Sequence, residues 1–208
     1  MKLIHLQIIS SAMLLGSFLS APLASAQQFL LDVGKPDFDV LPSPDVGGNT
    51  GEKTFRPKDW LEAEVEFTVE KSSDDSVKFA DKVTVRWFVA VENPDGKGHI
   101  LLKKEVDHIN VPIGEPVYSS VYLSPMSIIR LTGSDNAGKS LVESVGGEIL
   151  INGAAPVKNS GFFSSKGKPG WWTKGGLSAF ASVPLLSKNE TPFKLLWWDR
   201  YAEIEDRK

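Results

Sequence analysis

The 208-residue chain contains no cysteine. Disulfides, thiol nucleophiles and cysteine-ligated zinc are therefore excluded, as is a lipid-modified cysteine behind a leader. The fold must hold by packing and backbone hydrogen bonds alone. Histidine is scarce too, with 3 in the chain. His99 and His108 have no metal-ligand arrangement around them and read as ordinary solvated residues. There is no Gly-x-Ser-x-Gly nucleophile elbow. A strong charge of either sign is also missing. The formal net charge is −3, which gives no global pull toward nucleic acid or an anionic membrane. No catalytic set, cofactor or metal is expected.

A long apolar run occurs only at the start. Lys2 is followed by an apolar core from Leu3 to Leu19, and Ala24-Ser25-Ala26 gives a small-x-small pattern. This predicts a signal peptide over residues 1–26, cleaved before Gln27. No later run approaches the length of a transmembrane helix. Lys2 is the only charge in the leader, so residues 27–208 carry 22 Lys and Arg against 26 Asp and Glu, a net −4. That length suits one domain. The expected destination is the periplasm, outer membrane or cell surface.

Period-two alternation dominates the rest. Phe29, Leu31 and Val33 share one side of a short strand within 27–34. Residues 36–58 hold Pro36, Pro42, Pro44 and Pro57 with three glycines, which reads as an extended, exposed connection. Leu61, Ala63, Val65, Phe67 and Val69 then alternate with Glu62, Glu64, Glu66, Thr68 and Glu70. One face of this strand is apolar and the other is an exposed row of carboxylates. Val83, Val85, Trp87, Val89 and Val91 line the next strand, which predicts Trp87 in the core. Asn93-Pro94-Asp95-Gly96 has the chemistry of a tight turn and predicts a hairpin into 99–106. Further strands are expected over 116–123, 127–132, 148–152, 177–186 and 191–203. The last carries Leu195-Leu196-Trp197-Trp198, apolar on both faces and so central or covered. One short helix is expected, capped by Asp135 or Asn136 and stopped by Gly146-Gly147. Eight or nine strands with almost no helix predict an all-β, immunoglobulin-like antiparallel sandwich as a single domain over 27–208.

Gly133 to Ser140 fits the spacing of a phosphate-binding loop. That chemistry needs a strand before it, a long helix after it and parallel crossovers; here only a brief helix could follow, ended by Gly146-Gly147, so the match reads as a surface turn. Paired carboxylates do acid–base work only in a cleft that shifts their pKa values, and the Glu62–Glu70 face shows no such cleft in sequence.

Residues 152–176 are unusual. They contain six glycines, four lysines and no acidic residue, together with two aromatic pairs. A long basic, aromatic loop on an acidic chain is often functional. Phe162, Phe163, Lys166, Lys168, Trp171 and Trp172 are the candidate interaction residues, either as protein anchors or as stacking platforms for sugars. The bland alternative tucks the rings under the loop as a satellite core. Complementarity between this loop and the acidic strand face also suggests head-to-tail self-association.

With the leader and the cysteine-free sandwich, the stretches FTVEK, VRWFVAVEN and FKLLWWDRY resemble the secreted immunoglobulin-like, pilus-associated surface proteins of mucin-associated verrucomicrobial gut bacteria. The resemblance spans the chain after the leader. It implies a sandwich, a place at the outer membrane or cell surface beside pilus proteins, and no enzymatic activity. Partners would be envelope or pilus proteins, or further copies of the chain, with neither nucleic acid nor a membrane span. The alternative function is a module binding host glycans through the aromatic loop.

Overall fold

The computed structural model describes residues 28–205, apart from 46–53, 73, 136–137, 157, 159, 165 and 181. The predicted leader, Asn136 and the middle of the 36–58 connection lie outside the described residues. Two sheets pack face to face, as the alternation implies. The first contains β1 (Phe29–Val33), β2 (Asp37–Pro42), β3 (Asp59–Ser72), β6 (Pro116–Leu123) and β10 (Leu186–Ser187). In the second are β4 (Phe79–Glu92), β5 (His99–Pro112), β7 (Val142–Ile151), β8 (Gly161–Phe163), β9 (Ser178–Ala179) and β11 (Glu203–Ile204). All of these strands pair antiparallel except β9, which runs parallel to β5. Among the described residues the chain is an all-β sandwich with one α-helix.

The core forms where the alternating apolar faces meet. Leu61, Val65, Phe67 and Val69 of β3 pack against Val83, Val85, Trp87 and Val89 of β4. Trp87 is fully buried, and its indole N–H donates to Ser119 Oγ at 3.2 Å, joining the two sheets. The Asn93–Gly96 turn closes the β4–β5 hairpin, with Glu92 opposite His99. The first strand pairs within its own sheet, along β3.

Several elements differ from expectation. Residues 127–132 form a helix, α1 (Pro125–Thr132), not a strand. Ser124 Oγ accepts from the Ser127 N–H at 3.2 Å, Pro125 opens the first turn, and Gly133 ends it at φ 72°. These caps outweigh the β-branched residues. The helix expected over 135–145 is instead one 3-10 turn (Lys139–Leu141) followed by β7. Gly146-Gly147 does not stop a helix but lies inside β7. Part of the proline-rich connection is strand: β2 lies end to end with β1 along the same edge of β3. Proline is tolerated there because the outer edge needs no donor.

The segment 177–186 contributes only the two-residue strand β9 and the start of β10. The strand expected over 191–203 is a 3-10 turn (Pro192–Leu195) and an irregular crossing into β11. Thr191 Oγ1 accepts from the Phe193 N–H at 3.2 Å and starts the turn. Leu195 and Trp198 are not covered but 78 % and 76 % exposed. Gly133 follows a helix and Leu141 leads into a strand, the reverse of a phosphate-loop context.

Candidate functional site

The polar face of β3 is only in part the exposed acidic row expected from its sequence: Glu66 and Glu70 are exposed, but Glu62 is buried and Glu64 half-buried. The C-terminal segment from Lys188 to Tyr201 lies across it like a strap. Beneath the strap is a second small core of Trp60, Tyr122 and Phe193, flanked by Leu41, Leu186 and Leu196. Tyr122 and Phe193 stack at 5.3 Å, and Phe193 and Trp197 at 6.2 Å, each pair within 14° of parallel. Trp60 meets Phe193 edge-on at 5.7 Å. The ring pile thus runs outward from the sheet and ends at Trp197.

Polar contacts tie the strap down beside this pile. The Tyr118 N–H donates to the Arg200 carbonyl at 3.2 Å. Arg200 Nη2 donates to Glu64 Oε1 at 3.0 Å, and its guanidinium lies 3.9 Å from the Tyr118 ring centre. The Tyr201 hydroxyl donates to Glu64 Oε2 and stands 3.5 Å from Glu62 Oε1. Tyr122, which faces Glu62 across the β3–β6 ladder, also donates its hydroxyl to Glu62 Oε1.

Burial sets the electrostatics. Glu62 is 8 % exposed. Burial pushes its carboxyl up to about 6; the Tyr122 hydrogen bond opposes this, Glu64 and Asp39 add to it, and Arg200 opposes it. Burial also raises the Tyr122 and Tyr201 hydroxyls, and the Glu62 charge adds to that rise. Lys188 is buried and lowered for the same reason, with Glu62 opposing. Its ammonium donates to the Lys194 carbonyl at 3.2 Å and lies 4.7 Å from the Tyr201 ring centre.

Between β2, β3 and the strap lies a cleft of about 250 Å³. Asp37, Asp39, Glu62 and Glu64 line it from the sheet, and Trp197, Arg200 and Tyr201 from the strap. Four carboxylates thus face one guanidinium. Both Glu64 oxygens are engaged, by Arg200 and Tyr201. A carboxylate held this way stabilises positive charge more readily than it relays protons. Among the described residues no group of three or more His, Asp or Glu is arranged to hold a metal ion.

The six residues singled out in 152–176 do not converge on one surface. Phe162 is 2 % exposed and meets Trp87 edge-on at 4.9 Å, inside the core. Phe163 is half-buried, in β8, opposite Gly146. Trp172 lies flat on Phe88, 5.2 Å away and 6° from parallel, and its indole N–H donates to Glu148 Oε1 at 3.1 Å. Trp171 sits edge-on to Trp172 at 5.7 Å. Lys166 and Lys168 are exposed. The turn 166–174 is therefore a cover over the outer face of the second sheet, with Trp172 down on Phe88 and its lysines in solvent, while Phe162 fills the core.

His108 departs from expectation. It is completely buried, on the inward side of β5 with Val106, and its ring lies 6.2 Å from that of Phe67. Its Nδ1–H donates to the Ala202 carbonyl at 3.3 Å. Burial lowers its pKa to about 4, against the Ala202 carbonyl and the Asp107 charge. The alternation from Leu102 through Val106 contained this signal. His99 is exposed as expected. The cleft itself was not legible. Its strap half depends on how Trp197, Arg200 and Tyr201 return to a strand more than 130 residues earlier, such as Arg200 to Glu64 at a separation of 136.

A protein-family model matches residues 22–208. The chain is also similar to a protein from Akkermansia muciniphila of known crystal structure. The two are 34% identical over 88% of this chain and 96% of that one, with a TM-score of 0.77. No curated protein matches the chain.

Proposed function

We propose that this chain, which belongs to the family of immunoglobulin-like, pilus-associated proteins of mucin-associated verrucomicrobial gut bacteria, is an exported surface protein that acts by binding other proteins and not by catalysis. That family is not a known family of enzymes. The reading extends to a place in the periplasm, outer membrane or cell surface, with envelope or pilus proteins as partners. Among the described residues no helix is long and apolar enough to cross a membrane.

One observation carries the reading. The strap buries Phe193 yet leaves Leu195, Trp197 and Trp198 exposed, beside a cleft that needs positive charge. Large apolar side chains around a polar socket are the composition of a protein-binding patch, with anchors in the middle and charge to set orientation. The glycan alternative has less support, because it relied on loop rings of which Phe162 and Trp172 are packed against Trp87 and Phe88.

Residues 27–208 should retain specific proteins from a cell-envelope fraction. The double substitution Leu195→Ser/Trp198→Ser should abolish that retention at an unchanged melting temperature. Retention that survives the substitution would remove the strap from the reading. Binding on a glycan array with no retained protein would favour the alternative.

A further inference from the structure

The two outer faces of the sandwich carry opposite chemistry. The core lies between the sheets, so these faces point in opposite directions. On the first sheet is the cleft, with four carboxylates against Arg200. Asp37 and Asp39 reach its rim from edge strand β2 and are exposed. Their side chains accept from the N–H groups of Phe38 and Val40, at 2.8 and 2.9 Å. This occupies edge donors that could otherwise pair with a foreign strand, so a partner at this edge is recognised by charge and not by strand addition.

On the second sheet is the cover over Phe88, the turn around Trp171 and Trp172. Lys166, Lys168 and Lys174 stand exposed around it, with no acidic residue between 152 and 176. On the same face of the sheet, Glu148 accepts from Trp172 and Glu105 pairs with Arg86 at 3.1 Å.

We infer that the acidic cleft of one copy receives the basic tryptophan turn of the next, so that copies associate head to tail. This deepens the proposed function and rests on it: the partner is a second copy of this chain, and the anchor of the contact is a lysine with an apolar stem. A lysine stem fits the cleft because Trp197 provides an apolar wall and Glu62 and Glu64 an acidic floor. The socket and the plug are different surfaces on opposite faces. Such a contact is heterologous and, unless its rotation closes a ring, grows into a filament.

Charge reversal tests this with a built-in rescue. Asp37→Lys/Asp39→Lys turns the socket basic, and Lys168→Glu/Lys174→Glu turns the plug acidic. All four residues are exposed, and unchanged circular dichroism and melting confirm each fold. Light scattering on residues 27–208 at low salt should show growth of wild type with concentration. Raising the salt from about 50 to about 500 mM should weaken association roughly tenfold or more, because exposed charges are then screened.

Either variant alone should stay monomeric, since its socket and plug then carry like charge. An equimolar mixture of the two should associate again in alternation, because each basic socket meets an acidic plug and each basic plug an acidic socket. Wild type that remains monomeric at every concentration, or a mixture that fails to associate when wild type does, would overturn the inference. Envelope-fraction retention by wild type separates the two readings. Retention by a wild type that stays monomeric leaves the protein-binding function standing and refutes the head-to-tail contact. A wild type that self-associates but retains no envelope protein leaves the contact standing and removes envelope proteins as partners.

Discussion

Gly146 and Gly147 stand side by side in β7, and each lies under a ring. A Cβ on Gly147 would come 2.3 Å from Phe162 Cζ and 2.5 Å from the Arg86 carbonyl oxygen, inside the core. A Cβ on Gly146 would meet Trp172 at 2.4 Å, on the outer face. Backbone and core cannot yield as a surface ring can. Gly147→Ala should therefore cost about 1–3 kcal/mol in urea unfolding, and Gly146→Ala clearly less, through displacement of Trp172. Equal costs would contradict this division.

Two buried titrating groups make opposite demands on pH. The folded-state value of Glu62, about 6, lies above its ordinary 4.5. Its contribution is present below about 4.5 and is lost as pH rises through 6. His108 lies at about 4, below its ordinary 6.5. Its contribution is present above 6.5 and is lost as pH falls through 4. The two slopes cancel between pH 4.5 and 6. Over that window Glu62→Gln should lose stability on acidification relative to wild type, and His108→Gln should gain it. Urea midpoints at the two ends of the window give the sign; parallel changes in the two variants would refute the pairing.

Among the elements, the strap is the least built into the sheets. Leu186–Ser187 and Glu203–Ile204 pair at its ends, and between them one backbone bridge joins Tyr118 to the Arg200 carbonyl. Otherwise it is held by side chains: the Phe193 ring pile and the Arg200 and Tyr201 contacts with Glu64. At the far end Lys82 Nζ reaches both Asp107, at 3.0 Å, and Glu205, at 2.7 Å. Tyr201→Phe removes the donor that serves Glu64 Oε2. Amide exchange should then speed up across 196–202, while β3, β4 and β5 keep their protection. Exchange that accelerates equally in the sheets would show that the strap and sandwich open as one unit. The strands β3 and β4 were readable because alternation over ten or more residues fits no helix. Helix α1 and the strap were not. Short apolar runs such as Ser127–Thr132 and Leu195–Trp198 carry no period, and caps at Ser124 and Thr191 decided them.

In the whole molecule, stability depends on the contact between the sheets, since no disulfide crosses them. Trp87 is the largest fully buried side chain there and bonds across to Ser119. Trp87→Ala should cost about 3–5 kcal/mol, as large core truncations do. The loss should appear in one cooperative transition reported alike by far-ultraviolet dichroism and by fluorescence of the remaining tryptophans. A melting curve unchanged by the substitution would remove Trp87 from its central place.

What the amino-acid sequence determined alone was the fold class, the hairpin turn at Asn93–Gly96, the core faces of β3 and β4 and the burial of Trp87. These follow from local rules, because alternation and turn chemistry act over a few residues. Tertiary structure alone decided which polar face would be covered. It packed Phe162 on Trp87 and Trp172 on Phe88, buried Glu62, and built a cleft where the strap meets β2 and β3. Those outcomes depend on contacts between residues many tens of positions apart, such as Phe162 with Trp87, or more than a hundred, such as Arg200 with Glu64. No local pattern carries that information, because the energy of such a contact exists only once both sheets are in place.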